Sequence, residues 1–144
     1  YFVCDETWPF SIWAHNACHP KVLRRNLNEA AATGARGAAE RVAHGRKYAA
    51  HIVPTGNWYY RGQRIGEKVE RMQRWLNEAG VGLDHYRNGF FTNCNRHMGT
   101  HTNEFIDYAF EKLSEAVEKG VTRAAVLRAL DDIFQEIMTG RFLK

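Results

Sequence analysis

The sequence has few cysteines and no long apolar run. Its three cysteines, Cys4, Cys18 and Cys94, form no CxxC pair and no spacing typical of a disulfide framework. An odd count favours reduced thiols, and a single Cys4–Cys18 disulfide stays open as the alternative. No window holds the roughly eighteen consecutive apolar residues that a membrane span needs. We therefore expect no membrane partner.

The first residues also lack the features of a secretory signal segment. Tyr1 to Pro9 contains Asp5 and Glu6 and has no basic start. The chain does not begin with Met, which favours a piece cut from a longer polypeptide. No internal repeat or low-complexity tract divides the sequence. We expect one domain over residues 1–144, with a core that needs no disulfides.

Positive charge is concentrated in the first half of the chain. Basic side chains are frequent from Arg24 to Arg64, whereas the acidic residues are most concentrated from Glu104 onward, where eight of the sixteen lie. The formal net charge of +4 is compatible with a polyanionic partner but does not require one. The distribution suits a phosphate-facing surface made by the first half. A solvated positive face without a partner is an equal alternative on charge alone.

Hydrophobic spacing predicts a mostly helical domain with one small β element, so the fold class is α+β, mostly α. Residues 1–20 are aromatic-rich and irregular, and we expect them to pack on the domain. The predicted helices run from about Lys21 to Ala32, from about Ile65 to Ala79, from Thr102 to Gly120, and from Thr122, a possible N-cap, through Ile137. The predicted strands lie within Lys47–Pro54 and Asn88–Thr92.

Two histidines with metal-ligand spacing lie just ahead of the third predicted helix. His97 and His101 are four residues apart, and on a helix this spacing puts both imidazoles on one face, within reach of a single divalent ion. Such pairs are more often surface or capping residues, and the neighbouring threonine hydroxyls offer them partners. The pair alone is therefore weak evidence for a metal.

The order of functional side chains along the chain strengthens the metal interpretation. His51 ends the first predicted strand, Asn88 opens the second, and the two helix histidines follow, which resembles the layout of a ββα-metal nuclease site. There the helix histidines, here His97 and His101, hold a metal that stabilises the leaving group. In that layout the strand histidine, here His51, deprotonates water, a task that suits an unperturbed imidazole pKa of about 6.5. The strand asparagine, here Asn88, orients that histidine by a hydrogen bond or a backbone contact.

Four segments resemble the AHH nuclease family of the HNH/endonuclease VII superfamily, named for its Ala-His-His signature. They are Leu23-Arg-Arg-Asn-Leu27, Tyr48-Ala-Ala-His-Ile-Val-Pro54, Asn88-Gly-Phe-Phe91 and Arg96-His-Met-Gly-Thr-His-Thr102. The run from Asn88 to His101 is also similar to the metal-binding segment of HNH-type bacteriocin DNases. The resemblance extends from Lys21 to the end of the chain. It implies a small ββα-metal element with flanking helices, and a metal-dependent endonuclease that hydrolyses DNA with little sequence preference.

One position departs from the family signature. When the chain is aligned on Ile52-Val-Pro54, Ala50 stands where the family has its first histidine, which the resemblance makes the third metal ligand. Alanine supplies no ligand, so His97 and His101 would hold the ion alone. We favour an engineered inactivating substitution over natural divergence. We therefore expect an intact fold with weak or absent cleavage.

Basic residues near these motifs are the expected nucleic-acid contacts, namely Arg96, Arg61, Arg64 and Lys47. The only expected cofactor is one divalent ion, Mg²⁺ as in the superfamily or Zn²⁺ or Ni²⁺ by imidazole affinity, with no small-molecule cofactor. The resemblance implies a C-terminal toxin domain of a bacterial polymorphic toxin. Such a domain is delivered into the cytoplasm of a target cell and neutralised in the producer by a cognate immunity protein.

Two other functions stay open at this level. One is a non-catalytic nucleic-acid or protein-binding module that keeps the metal-stabilised ββα scaffold, and Ala50 is its best support. The other is an RNase on the same scaffold, because nothing in the sequence separates the two substrates.

Overall fold

The structure is a computed structural model of the chain and describes residues 20–35, 48–58, 61–92 and 99–143. The expected irregular segment 1–20 lies outside these ranges, apart from its last residue. The elements follow the predicted order of helix, strand, helix, strand and two helices, so the fold is α+β and mostly α. They are α1 (Pro20–Ala32), β1 (Tyr48–His51), α2 (Gln63–Glu78), a 3₁₀ turn (Tyr86–Asn88), β2 (Gly89–Thr92), α3 (Asn103–Val117) and α4 (Arg123–Met138).

The two strands form an antiparallel pair with two different faces. Ala50 lies opposite Phe90, and His51 lies opposite Gly89. Because successive side chains of a strand point to opposite faces, Ala50 and His51 point to opposite sides of the pair. Ala50 and Phe90 belong to the main core, whereas Phe91 belongs to a second cluster.

The main core lies between one face of the strand pair and helices α2, α3 and α4. Each helix buries side chains three or four positions apart, which is the spacing of one helical face. The fully buried residues include Ile65, Val69, Met72 and Leu76 of α2, Phe105, Ala109 and Leu113 of α3, and Val126, Leu130, Ile133 and Ile137 of α4. None of the helices in the described part of the chain is long and apolar enough to cross a membrane.

Threonine side chains cap the last two helices. The Thr102 hydroxyl accepts a hydrogen bond from the Phe105 amide at 3.2 Å, and the Thr122 hydroxyl accepts one from the Ala125 amide at 3.2 Å. These bonds satisfy amides that would otherwise lack a partner in the first helical turn. The predicted N-cap at Thr122 is confirmed.

Helix α1 covers the other face of the strand pair. Its Leu23 and Leu27 pack with Phe91 to form the second cluster. The contact is closest at Gly89, where an added Cβ atom would lie 2.5 Å from the Leu23 Cδ1 atom. Leu23 is fully buried, so it has little room to turn away. Helix α1 therefore rests on the strand pair at the position opposite His51.

The residues after α4 pack against α3 and against the turn that precedes it. The Phe142 ring meets the Phe105 ring edge-on at 5.1 Å between centroids and the Tyr108 ring at 5.2 Å. A Cβ atom added to Gly99 would lie 1.3 Å from the Phe142 carbonyl oxygen. Only a glycine allows this backbone approach.

Alanine substitutions at three glycines should destabilise the fold in the order Gly99, Gly89, Gly82. Gly89→Ala is expected to cost about 1–3 kcal/mol of the free energy of unfolding, as overpacking of a filled core does. Gly99→Ala should reach or exceed the top of that range, because the obstructing atoms are backbone. At Gly82 an added Cβ meets nothing within 4 Å, so this variant is the control. Urea denaturation measures all three, and equal effects would contradict the packing described.

Candidate active site

His51, the predicted base, is fixed at the end of β1 by a carboxylate. Its Nε2 atom lies 2.9 Å from Oδ1 of Asp84, and only 8% of the residue is exposed. Asp84 lies in the loop between α2 and the 3₁₀ turn, and its side chain is 26% exposed. Sequence reasoning missed this contact, because it joins residues 33 positions apart and Asp84 belongs to no motif.

The loop that carries Asp84 is tied to helix α1. The Asn26 side-chain amide donates a hydrogen bond to the backbone carbonyl of Asp84 at 2.7 Å. Within the loop, the His85 amide donates to the Gly82 carbonyl at 2.9 Å. Helix α1 therefore contacts the site twice, through Leu23 at the strand pair and through Asn26 at the Asp84 loop.

Asn88 lies at the end of the 3₁₀ turn, one residue before β2, and is fully buried. Its side-chain oxygen accepts from the Val53 amide at 2.8 Å, and its side-chain nitrogen donates to the carbonyls of Val53 at 3.0 Å and Leu83 at 2.8 Å. Its backbone carbonyl accepts from the Ile52 amide at 2.8 Å. Asn88 therefore fixes the backbone that follows His51, and its role in orienting the base stays a prediction.

Ala50 is fully buried on the face of β1 opposite to His51. Its methyl group packs in the main core and has no lone pair to offer a metal. A histidine at this position would project toward the main core, whereas His51 projects toward the side that α1 covers. The alternation of β1 thus assigns residues 50 and 51 to different sides of the site.

His101 lies in the turn before α3, not on the helix. The Thr102 hydroxyl donates to the Gly99 carbonyl at 2.9 Å and caps α3, so the helix begins only at Asn103. The His101 ring lies 5.4 Å from the ring of the buried Trp58. His97, its predicted partner, lies outside the described residues.

The structure gives the two described arginine candidates different surroundings. The Arg61 guanidinium lies 5.5 Å from the centre of the Trp58 ring, which also contacts His101, so Arg61 lies on the same side of the site as His101. Arg64 lies farther along α2, and its guanidinium contacts the Asp107 carboxylate at 2.6 Å. The other two candidates, Lys47 and Arg96, lie outside the described residues.

Asp107 is shared by two cations, because Lys68 contacts the same oxygen as Arg64, at 2.7 Å. Partial burial raises the pKa of Asp107, but hydrogen bonds from Arg64 and Lys68 outweigh it and hold that pKa below its usual value. The carboxylate is therefore ionised at neutral pH and offsets part of the positive charge of Arg64.

The described side chains do not by themselves make a metal site. Within residues 20–35, 48–58, 61–92 and 99–143, no three His, Cys, Asp or Glu side chains converge as a metal-binding group. His101 supplies one imidazole and Ala50 supplies no donor. A ligand set would need His97, which stays a prediction.

One protein family matches this chain by its sequence profile, over residues 32–138, which is 107 of the 144 residues. It is described as a nuclease family of the HNH/ENDO VII superfamily with conserved AHH. The matched range includes His51, Asn88 and His101. Nearly all of α1 lies outside it, as do the residues after α4, which include Phe142. No significant match was found among curated proteins or among solved structures.

Asn88→Ala should destabilise the protein by roughly 3 kcal/mol or more. The change leaves the Val53 amide and the carbonyls of Val53 and Leu83 without their side-chain partner, and each buried polar group left unsatisfied costs about 1–3 kcal/mol. Asn77→Ala, at an exposed position of α2, is the matched control and should be nearly neutral. Urea denaturation measures both, and a neutral Asn88→Ala would show that these bonds do not hold the site.

Proposed function

The chain belongs to the AHH nuclease family of the HNH/ENDO VII superfamily, and from this premise we propose that it is a metal-dependent endonuclease. Its substrate is DNA, which it hydrolyses with little sequence preference. The observation that carries the proposal is the placement of His51, the signature histidine, at the end of β1 beside Asp84. The contacts of Asn88 support the proposal, because they fix the backbone on the far side of His51.

The proposed reaction uses His51 as the general base. A ring nitrogen takes a proton from water, the hydroxide attacks the phosphorus, and the bond from phosphorus to the leaving oxygen breaks. His97 and His101 are the proposed ligands of one divalent ion, Mg²⁺ or Zn²⁺, with Ni²⁺ also compatible with imidazole ligands. When bound, the ion supplies positive charge that stabilises the phosphate and the leaving oxygen.

Ala50 leaves this site one ligand short in our proposal, so cleavage by the chain as given is weak or absent. The strand register supports this interpretation. Residue 50 projects to the opposite side of the strand pair from His51, so a ligand there and the base would not compete for the same space. An alanine there keeps the strand pair and the core while it removes a donor.

The toxin role belongs to the same proposal. A delivered effector that acts in the cytoplasm of a target cell, with a cognate immunity protein in the producer, is what the resemblance to polymorphic toxin domains implies. An inactivating change at the signature position agrees with this role, because a nuclease of low sequence preference harms the cell that makes it.

Ala50→His should restore metal-dependent cleavage of DNA. The new imidazole would supply the missing third ligand on the side of the strand pair that faces the main core. Nicking of supercoiled plasmid, measured with Mg²⁺, Zn²⁺ or Ni²⁺ and again after chelation, reports the activity. Ala50→Leu is the control, since it fills the position without a lone pair, and circular dichroism checks that both variants are folded.

A folded Ala50→His variant that cuts neither DNA nor RNA with any of these metals would sink the nuclease assignment. If that variant cuts RNA alone, the substrate class is wrong and the scaffold is that of an RNase. If it binds DNA without cutting it, the chain is the non-catalytic binding module that Ala50 also favours.

Arg61→Ala should weaken DNA binding more than Arg64→Ala. Arg61 lies beside the Trp58 ring that contacts His101, whereas the charge of Arg64 is partly offset by Asp107. Loss of one phosphate contact lowers the slope of log affinity against log salt by about one. Fluorescence anisotropy with duplex DNA over a salt series measures the slope, and equal slopes for the two variants would refute the assignment.

A further inference from the structure

We propose that Asp84 is a positioning residue that holds His51 with a hydrogen on Nε2, so that Nδ1 is the nitrogen that receives the proton from water. The inference rests on the proposed role of His51 as the base. Asp84 lies outside the Ala-His-His segment and outside the two strands. Its assignment comes from two observations, its contact with His51 and the hydrogen bonds that hold its loop.

The chemistry of the contact fixes the tautomer. An ionised carboxylate only accepts hydrogen bonds, and in a neutral imidazole only one of the two nitrogens carries a hydrogen. A distance of 2.9 Å between Nε2 and Oδ1 therefore requires the hydrogen on Nε2. The lone pair of the neutral ring is then on Nδ1.

The carboxylate is held in place by contacts on both sides. Asn26 of α1 binds the Asp84 carbonyl, and Asn88 binds the carbonyl of the preceding residue, Leu83. The His51 ring is itself buried. Both partners of the hydrogen bond thus have their backbone fixed before any substrate arrives, which preserves the geometry that proton transfer needs.

The carboxylate also acts on the charge that forms during the reaction. When Nδ1 takes a proton from water, the ring keeps the hydrogen on Nε2 and becomes an imidazolium, while the hydroxide carries the electron pair to phosphorus. The Asp84 carboxylate stabilises that positive ring, as an aspartate does for the histidine of a serine protease triad. The bond from phosphorus to the leaving oxygen breaks with its electron pair on that oxygen, which then takes a proton from solvent water.

The size of the effect follows from the exposure of Asp84. In a buried triad the loss of the aspartate charge lowers kcat by about 10⁴. The Asp84 side chain is 26% exposed, so water screens part of its interaction with the ring. We therefore expect kcat to fall about 10- to 100-fold when Asp84 is replaced, the range typical of residues that orient a functional side chain through a hydrogen bond.

The first test is a nitrogen-15 NMR measurement of the His51 ring in the chain as given. We expect the neutral ring to carry its hydrogen on Nε2, with that proton shifted downfield by the carboxylate. His51→Gln assigns the signals. Asp84→Ala and the isosteric Asp84→Asn should both remove the downfield shift. Asp131→Asn is the control and should keep the downfield shift. It removes the same charge, but from the ion pair that Asp131 makes with Arg87 of the 3₁₀ turn.

The second test measures cleavage in the Ala50→His background. Adding Asp84→Ala or Asp84→Asn should lower kcat about 10- to 100-fold with little change in KM, and Asp84→Glu should recover part of the loss. Asp131→Asn should leave kcat unchanged. A merely structural role for Asp84 would instead lower the unfolding temperature without moving the ring signals.

The two proposals fail in different ways. Absence of cleavage by the Ala50→His variant overturns the nuclease function, while the NMR measurement still decides the role of Asp84. A hydrogen on Nδ1 in the chain as given overturns the role of Asp84 whatever the activity. That role is also overturned if both Asp84 variants keep the downfield proton and the kcat of their background.

Discussion

Neighbouring residues of a strand point to opposite sides, and the arrangement of this protein depends on how β1 uses that constraint. Ala50 enters the main core beside Phe90, while His51 turns to the side covered by α1. The helices α2, α3 and α4 pack on one side of the strand pair, and Leu23 and Leu27 pack on the other. Shifting the register by one residue would exchange the two side chains and lose both packing surfaces.

The residues that hold His51 come from three separate parts of the chain. Asn88 fixes the backbone after it, Asp84 binds its ring, and Asn26 of α1 holds the Asp84 loop. Asn26 lies outside the range that matches the AHH family, as does Phe142, which packs against the turn at Gly99. Segments outside the family match therefore contribute contacts that hold the loop beside His51 and the turn that carries His101.

Local spacing in the sequence predicted the helices and strands, but it did not predict side-chain contacts between residues far apart in the chain. Helical periodicity and the Thr122 cap predicted the helices, and the motif order correctly placed His51 on the first strand. Asn88 was predicted to open the second strand, but it ends the 3₁₀ turn one residue before it. The contact of His51 with Asp84 joins residues 33 positions apart, and that of Arg64 with Asp107 joins residues 43 positions apart. Neither contact follows from a repeat, because each depends on the path of a loop or on helix packing.

The approach of the Phe142 carbonyl to Gly99 links the last residues to the turn that carries His101. A ligand that bound this turn more tightly with Phe142 packed on it would also make Phe142 harder to detach. By thermodynamic reciprocity, detaching Phe142 would weaken the binding of such a ligand by the same free energy. Packing of Phe142 and occupancy of the turn would then be two readouts of one equilibrium.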